Sequence, residues 1–279
     1  MTDAQLPLDE IYKVSIPVLK DSFVAYLDEL GTKAKLGSYA QEDLRQDLKR
    51  YEQFMEFLSD ENDPARAGTF VINTFSDNIS ICRPMHLPAD RGEPLTARLF
   101  DLLEGIALYQ FNTAIAGTPL RGGVTIGSAY ARPGFVTGSA HLEAVAMEEN
   151  LAVFPRVLVS EAVVEKLLNA PTEEERELVD GLIRKDDDDK YFLNYLPLGI
   201  DSMQLSSKVT RNDVVTAMRR HREYVVTGLE TFRDTPRAQE KYAWAARYHN
   251  SVCVGYGGPL ADVLIDMDEF EPRAQDVNG

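Results

Sequence analysis

Two stretches of the chain carry apolar residues at the same steps. In 39–59, Leu44, Leu48, Tyr51, Met55 and Leu58 recur at intervals of 4, 3, 4 and 3. From about Leu95 to Ala116, Leu95, Leu99, Leu102, Ile106 and Tyr109 repeat the same intervals. Such spacing draws one apolar stripe along a helix, and each stripe needs a surface to cover. The neighbouring β-rich runs supply it. Ser22–Leu27, closed by Asp28-Glu29-Leu30-Gly31, reads as a buried strand. Gly68–Phe75 and Ile79–Cys82 flank the turn formers Ser76-Asp77-Asn78 and read as a tight hairpin. Leu120–Gly127 follows the second helix. The order β-α-β-β-α-β predicts an α+β fold: a ferredoxin-like unit with an antiparallel-rich sheet and helices on one face.

Further along, 139–150 reads as helix and Arg156–Ser160 as a short strand, with Ser160 capping a helix over 161–169. Lys185–Lys190 reads as a solvated turn, and Tyr191–Leu196 as the last strand. Residues 208–250 are predicted helical, with Val214, Val215, Met218, Tyr224, Val225, Leu229 and Phe232 on apolar faces. These helices are expected on the open face of the sheet or at a dimer contact. The organisation expected is a lead-in over 1–20, a main domain over 21–205, a helical extension over 206–262 and an acidic tail over 263–279, frayed from about Asp262.

With 29 Lys and Arg against 45 Asp and Glu, the net charge is −16, which disfavours nucleic acid and anionic lipid as partners. The chain has no apolar run of transmembrane length. Its opening residues lack the basic start and apolar core of a secretory signal. Two cysteines, Cys82 and Cys253, fit a reducing compartment, and the cytoplasm is the expected location. Four scattered histidines give no zinc-type spacing. Any metal is therefore expected to be a hard cation held by carboxylates.

Asp28 ends the first strand and Asp77 sits in the hairpin turn. In a β-α-β-β unit the first strand lies beside the hairpin, so the two carboxylates converge at one end of the sheet. Close carboxylates repel unless a cation lies between them. With the backbone carbonyl of Glu29, they suit one or two Mg²⁺ or Mn²⁺ ions that also hold phosphates. Gly31-Thr32-Lys33 can turn backbone N–H groups toward an anion, with Lys33 and Arg121 as the nearest cations. Gly122 and Gly123 would let a ligand or another backbone approach. His141 reads as structural rather than as a ligand contact.

Four blocks in this order resemble the class III nucleotidyl cyclase domain: Ala25-Tyr26-Leu27-Asp28-Glu29-Leu30-Gly31-Thr32-Lys33, Phe75-Ser76-Asp77-Asn78, Leu120–Gly127, and Pro155–Ser160. The likeness covers about residues 20–200 and is strongest to the bacterial pyrimidine cyclases of Pycsar anti-phage systems. It implies an enzyme converting UTP, or CTP, to the 3′,5′-cyclic monophosphate and pyrophosphate, as a second messenger read by a separate effector protein. It implies two metal ions on Asp28, Glu29 and Asp77 and a phosphate contact from Arg121; Gly31, Thr32, Lys33 and Lys185 are the further substrate-binding candidates. It also implies a homodimer with shared sites, the second copy contributing from about residues 135–190. Purine cyclases carry an Asn and an Arg on the helix after Gly138, where this chain has Leu142 and Ala146. Either another cation, such as Lys33, Lys185 or Arg156, takes over, or the protein is a catalytically impaired homologue that binds nucleotide as a regulatory module. A purine cyclase is the remaining alternative.

Overall fold

The computed structural model describes residues 17–30, 41–58, 70–87, 94–169 and 172–270. In chain order these form β1 (Lys20–Glu29), α1 (Gln41–Leu58), β2 (Val71–Phe75), β3 (Asn78–Pro84), α2 (Leu95–Ile115), β4 (Leu120–Arg132), β5 (Phe135–Thr137) and α3 (Ser139–Ala146). A π-helical turn, Met147–Leu151, continues α3. Then come β6 (Val157–Val159), α4 (Glu161–Leu168), α5 (Glu173–Leu182), β7 (Ile183–Lys185), β8 (Tyr191–Leu193), α6 (Tyr195–Leu205), α7 (Arg211–Thr231) and α8 (Pro236–Tyr256), followed by a 3₁₀ turn over Gly258–Val263.

The protein is α+β, with a mixed, mostly antiparallel sheet in the order β2-β3-β1-β4-β6-β8-β7, and β5 folded back on β4. The first four strands in that order pair antiparallel; β4 and β6 run parallel. β1 is central because Phe23, Val24, Ala25 and Leu27 are apolar toward both faces, and all four are buried. α2 is buried nearly all round, which a single stripe does not predict. It stops at Gly117, whose φ of +81° suits the residue after a helix end. In α1 burial rests on Phe54 and Leu58, while Leu44 and Leu48 are exposed. Ser160 caps α4 as predicted, its side chain accepting from the Val163 N–H.

The expectation that helices occupy one face holds for α1 and α2 and fails for α3. Phe23, Ala25 and Leu27 face α1 and α2, but α3 lies on the opposite face, where Ala140 and Ala144 pack on Val24, Cys82 and Ala129. Glycine makes this possible: a Cβ on Gly123 would stand 2.5 Å from Met147 Cβ and 2.7 Å from the Ala144 carbonyl oxygen. The space at Gly123 is thus filled by the protein's own helix, not by a ligand.

The last predicted strand also ends early. β8 stops at Leu193, and Tyr195 and Leu196 open α6 instead, both buried in the main core. A short apolar run does not distinguish a buried strand from a buried helix start. α7 and α8 pack against each other and onto α6, with α7 also on α2, rather than onto the open face. The apolar anchoring extends past Asp262, since Val263 and Ile265 are buried and Asn250 holds the Ile265 backbone on both sides.

Candidate active site

Strand periodicity sends Tyr26 and Asp28 to the α3 side of the sheet. Asp28 stands opposite Asn78 on β3 and Arg121 on β4. Ser76 and Asp77 form a two-residue turn, Ser76 taking φ +60°, the positive value that hairpin turns of this length require. The turn is tied to β1 by the Glu29 N–H, which donates to the Asp77 carbonyl at 3.0 Å. Asp77 thereby reaches Asp28 electrostatically, and the Asn78 amide steadies its carboxylate at 3.3 Å. The strand register and the Glu29–Asp77 backbone bond set Asp28 and Asp77 at the same end of the sheet.

Arg121 Nε donates to Asp28 Oδ2 at 3.0 Å, and its Nη2 lies 2.6 Å from Glu148 Oε1. Glu148 comes from the π-helical turn and its side chain is only 4% exposed. Burial raises the Asp28 carboxyl above its ordinary range; Arg121 opposes this and Asp77 adds to it. Burial raises Glu148 too, again against Arg121 and with Asp28. Tyr26 is raised by burial and by the charges of Glu148, Asp28, Glu149 and Asp77, so its phenol stays protonated beside the carboxylates. The His141 ring meets the Tyr26 ring edge-on at 6.0 Å, and burial lowers its pKa.

The other predicted residues fare differently. Glu29 turns its side chain to α2, accepting from the Tyr109 hydroxyl at 3.2 Å, so only its main chain stays beside Asp28. Gly31, Thr32 and Lys33 lie outside the described residues. Within one chain Lys185 stands apart from Asp28: β7 is four strand positions from β1, roughly 19 Å at normal strand spacing. Its ammonium pairs with Asp189 at 2.8 Å. Arg156, another candidate cation, is fully buried, paired with Asp186 and Asp188 and set among Phe154, Phe192 and Trp244. The turn read as solvated therefore anchors a buried guanidinium.

Sequence reasoning missed Tyr26, Glu148 and Lys241. The period of two from Asp28 would have found Tyr26. Glu148 gave no signal, because a π-helical turn changes which residue faces inward. Lys241 lies on α8, half-buried, with its ammonium in the field of Arg121, Arg237, Asp28 and Glu148. Nothing in its local sequence marks it.

Among the described residues no group of three or more His, Cys, Asp and Glu side chains is arranged to hold a metal ion, and no helix is long and apolar enough to cross a membrane. The sequence matches no protein-family model and no curated protein.

Proposed function

We propose that the chain is a metal-dependent nucleotide cyclase converting UTP, or CTP, to the 3′,5′-cyclic monophosphate and pyrophosphate. The observation that carries this reading is the placing of Asp28 and Asp77 at one end of the sheet, with the Asp77 carbonyl accepting from the Glu29 N–H. The antiparallel order β2-β3-β1-β4 with α1 and α2 between its strands supports a ferredoxin-like cyclase unit.

The donor set fits a hard dication only in company. Two carboxylates are too few to enclose an ion, but Mg²⁺ is commonly held by one or two carboxylates together with substrate phosphates. Asp28 and Asp77 would hold it. When bound, Mg²⁺ or Mn²⁺ neutralises triphosphate charge and makes a ribose 3′-hydroxyl easier to deprotonate. The chain's own residues do the rest. Arg121, now engaged by Asp28 and Glu148, is a guanidinium poised beside the phosphates such an ion would bring. Tyr26 offers a protonated hydroxyl. In the reaction the 3′-oxygen bonds to the α-phosphorus, the bond to pyrophosphate breaks, and the hydroxyl proton leaves to solvent.

A two-fold homodimer sharing two sites belongs to the same proposal. Leu142, 69% exposed, and Ala146 stand outward on α3, where an apolar partner surface would cover them. Activity per chain should then fall on dilution below the dimer dissociation constant. The proposed product would act through a separate effector in antiviral defence. A second reading, a nucleotide-binding regulatory module without turnover, is favoured by one observation: Arg121 already satisfies both Asp28 and Glu148.

Incubation with each of the four nucleoside triphosphates and Mn²⁺ decides between them. Cyclic UMP or cyclic CMP supports the cyclase; binding without product supports the regulatory module; neither binding nor product overturns both.

A further inference from the structure

The cations expected to face substrate phosphates are mostly engaged. Arg156 is enclosed by Asp186 and Asp188, Lys185 is held by Asp189 at the far edge of the sheet, and Arg121 is shared by Asp28 and Glu148. The helical extension brings another. Trp244 on α8 stacks on Phe154 at 5.6 Å and donates to Asp186 at 2.7 Å. Phe154 lies two residues before Arg156, whose carbonyl accepts from the Gly122 N–H at 3.3 Å. These contacts lay the first half of α8 beside the segment that leads from Phe154 into β6, whose first residue, Val157, pairs with Gly122 next to Arg121 on β4. Lys241 precedes Trp244 by three residues and so shares its side of the helix.

Neither Lys241 nor Arg237, one turn earlier, has an ion pair or hydrogen bond among the described residues. Two like charges at i and i+4 repel, and burial, Arg121 and Arg237 together outweigh the attraction that Lys241 feels from Asp28 and Glu148. An ammonium half-withdrawn from water without a partner is costly. Such an arrangement becomes favourable when a polyanion sits among the cations.

We propose that Lys241, backed by Arg237, is the cation that grips the terminal phosphates of the triphosphate substrate, so that α8 is part of the active site rather than an appendage to it. This rests on the nucleotide cyclase reading and adds to it a cation beside Arg121. The position matters for catalysis: charge that accumulates on departing pyrophosphate would be met by a lysine from outside the β-α-β-β-α-β unit.

The test is binding of inorganic tripolyphosphate to the full chain by calorimetry, with magnesium in excess, for wild type, Lys241→Gln and Lys241→Arg, alongside melting temperatures. The proposal expects Lys241→Gln to weaken binding at least about ten-fold and Lys241→Arg to restore most of it. It expects the melting temperature of Lys241→Gln to stay at or above that of wild type, because an unpaired, partly buried charge has been removed. Unchanged affinity in Lys241→Gln, or no tripolyphosphate binding by wild type, overturns it. A lowered melting temperature with unchanged affinity assigns Lys241 a structural role and overturns it as well. Tripolyphosphate binding that depends on Lys241, in a protein that cyclises none of the four nucleotides, upholds the phosphate grip and refutes the cyclase reading alone.

Discussion

Arg121 and Asp28 form a bridge across neighbouring strands, Nε to Oδ2 at 3.0 Å, and the same guanidinium reaches the buried Glu148. The arginine is the counter-charge for two carboxyls that burial has pushed toward the neutral form. Its loss is felt in stability before it is felt in chemistry. Arg121→Ala should cost about 2–3 kcal/mol by leaving partly buried acids unpaired. Adding Glu148→Gln should recover a good part of that. Denaturant unfolding of the two single variants and the double variant measures the coupling; simple additivity would show that the three side chains do not act as one network.

Asp77→Asn should remove cyclisation, with a loss on the order of a thousand-fold, while the fold stays intact. The change is nearly isosteric, and the carbonyl that ties the turn to β1 belongs to the backbone. Product formation at saturating Mn²⁺ and far-ultraviolet circular dichroism check both halves. Wild-type-like turnover would sink the carboxylate-held cation.

Gly123→Ala should destabilise by about 1–3 kcal/mol through overpacking. The added methyl group would collide with Met147 Cβ and the Ala144 carbonyl, pushing the π-helical turn and Glu148 away from β4. Gly181→Ala, where the new Cβ meets nothing within 4 Å and φ is not positive, is the comparison without a collision. Thermal unfolding of the pair measures the collision; a Gly123→Ala variant as stable as Gly181→Ala would remove it.

Arg156→Ala should cost about 3 kcal/mol or more, because Asp186 and Asp188 lose a buried partner. The protein reports on this itself. Trp244 is the single tryptophan, and its indole N–H donates to Asp186 at 2.7 Å. Its emission should shift to the red in Asp186→Ala, as the ring loosens from Phe154. An unmoved spectrum would mean that the stack holds without the aspartate.

Acid should weaken the fold through two stacked histidines. His249 Nε2 donates to the Val263 carbonyl at 2.9 Å, so its Nδ1 accepts from His221 Nδ1–H at 3.0 Å, and His221 Nε2 accepts from the Tyr195 hydroxyl. Burial, then the charge of His249, holds His221 well below the ordinary histidine value; burial also lowers His249, against its bond to Val263. Unfolded imidazoles take up protons near pH 6.5, and the folded ones resist. Stability is therefore full above about pH 7 and falls as pH drops below that value, by up to about 1.4 kcal/mol per pH unit for each histidine. Unfolding measured from pH 7.5 to 5.5 tests this, and His221→Phe should flatten the slope; equal slopes would remove the histidines from the account.

The parts of the fold that were legible in sequence are those where one physical demand dominates. β1 is apolar toward both faces, so its central place could be read from Phe23 to Leu27. Ser76 and Asp77 favour turns, so the hairpin could be read from composition. Position in space was not legible where the signal lies in a partner. Tyr195 and Leu196 are as apolar as a strand, and only the core they enter makes them a helix start. Lys185–Lys190 looks like solvated charge until Arg156, distant in sequence, is found beneath it. The same holds for the site: Asp28 and Asp77 follow from strand order, whereas Glu148 and Lys241 depend on how two helices lie against β4.

The helical turn that carries Glu148 is wound wider than an α-helix, holding an extra residue between hydrogen-bonded partners. Substitution leaves that winding in place. Loss of one residue just upstream would let the turn tighten to the α pitch and swing Glu148 by about 100° away from Arg121. The shortest genetic route to freeing the Arg121 guanidinium from its second acid is thus a three-base deletion, one that leaves the Ala140 and Ala144 packing on the sheet untouched.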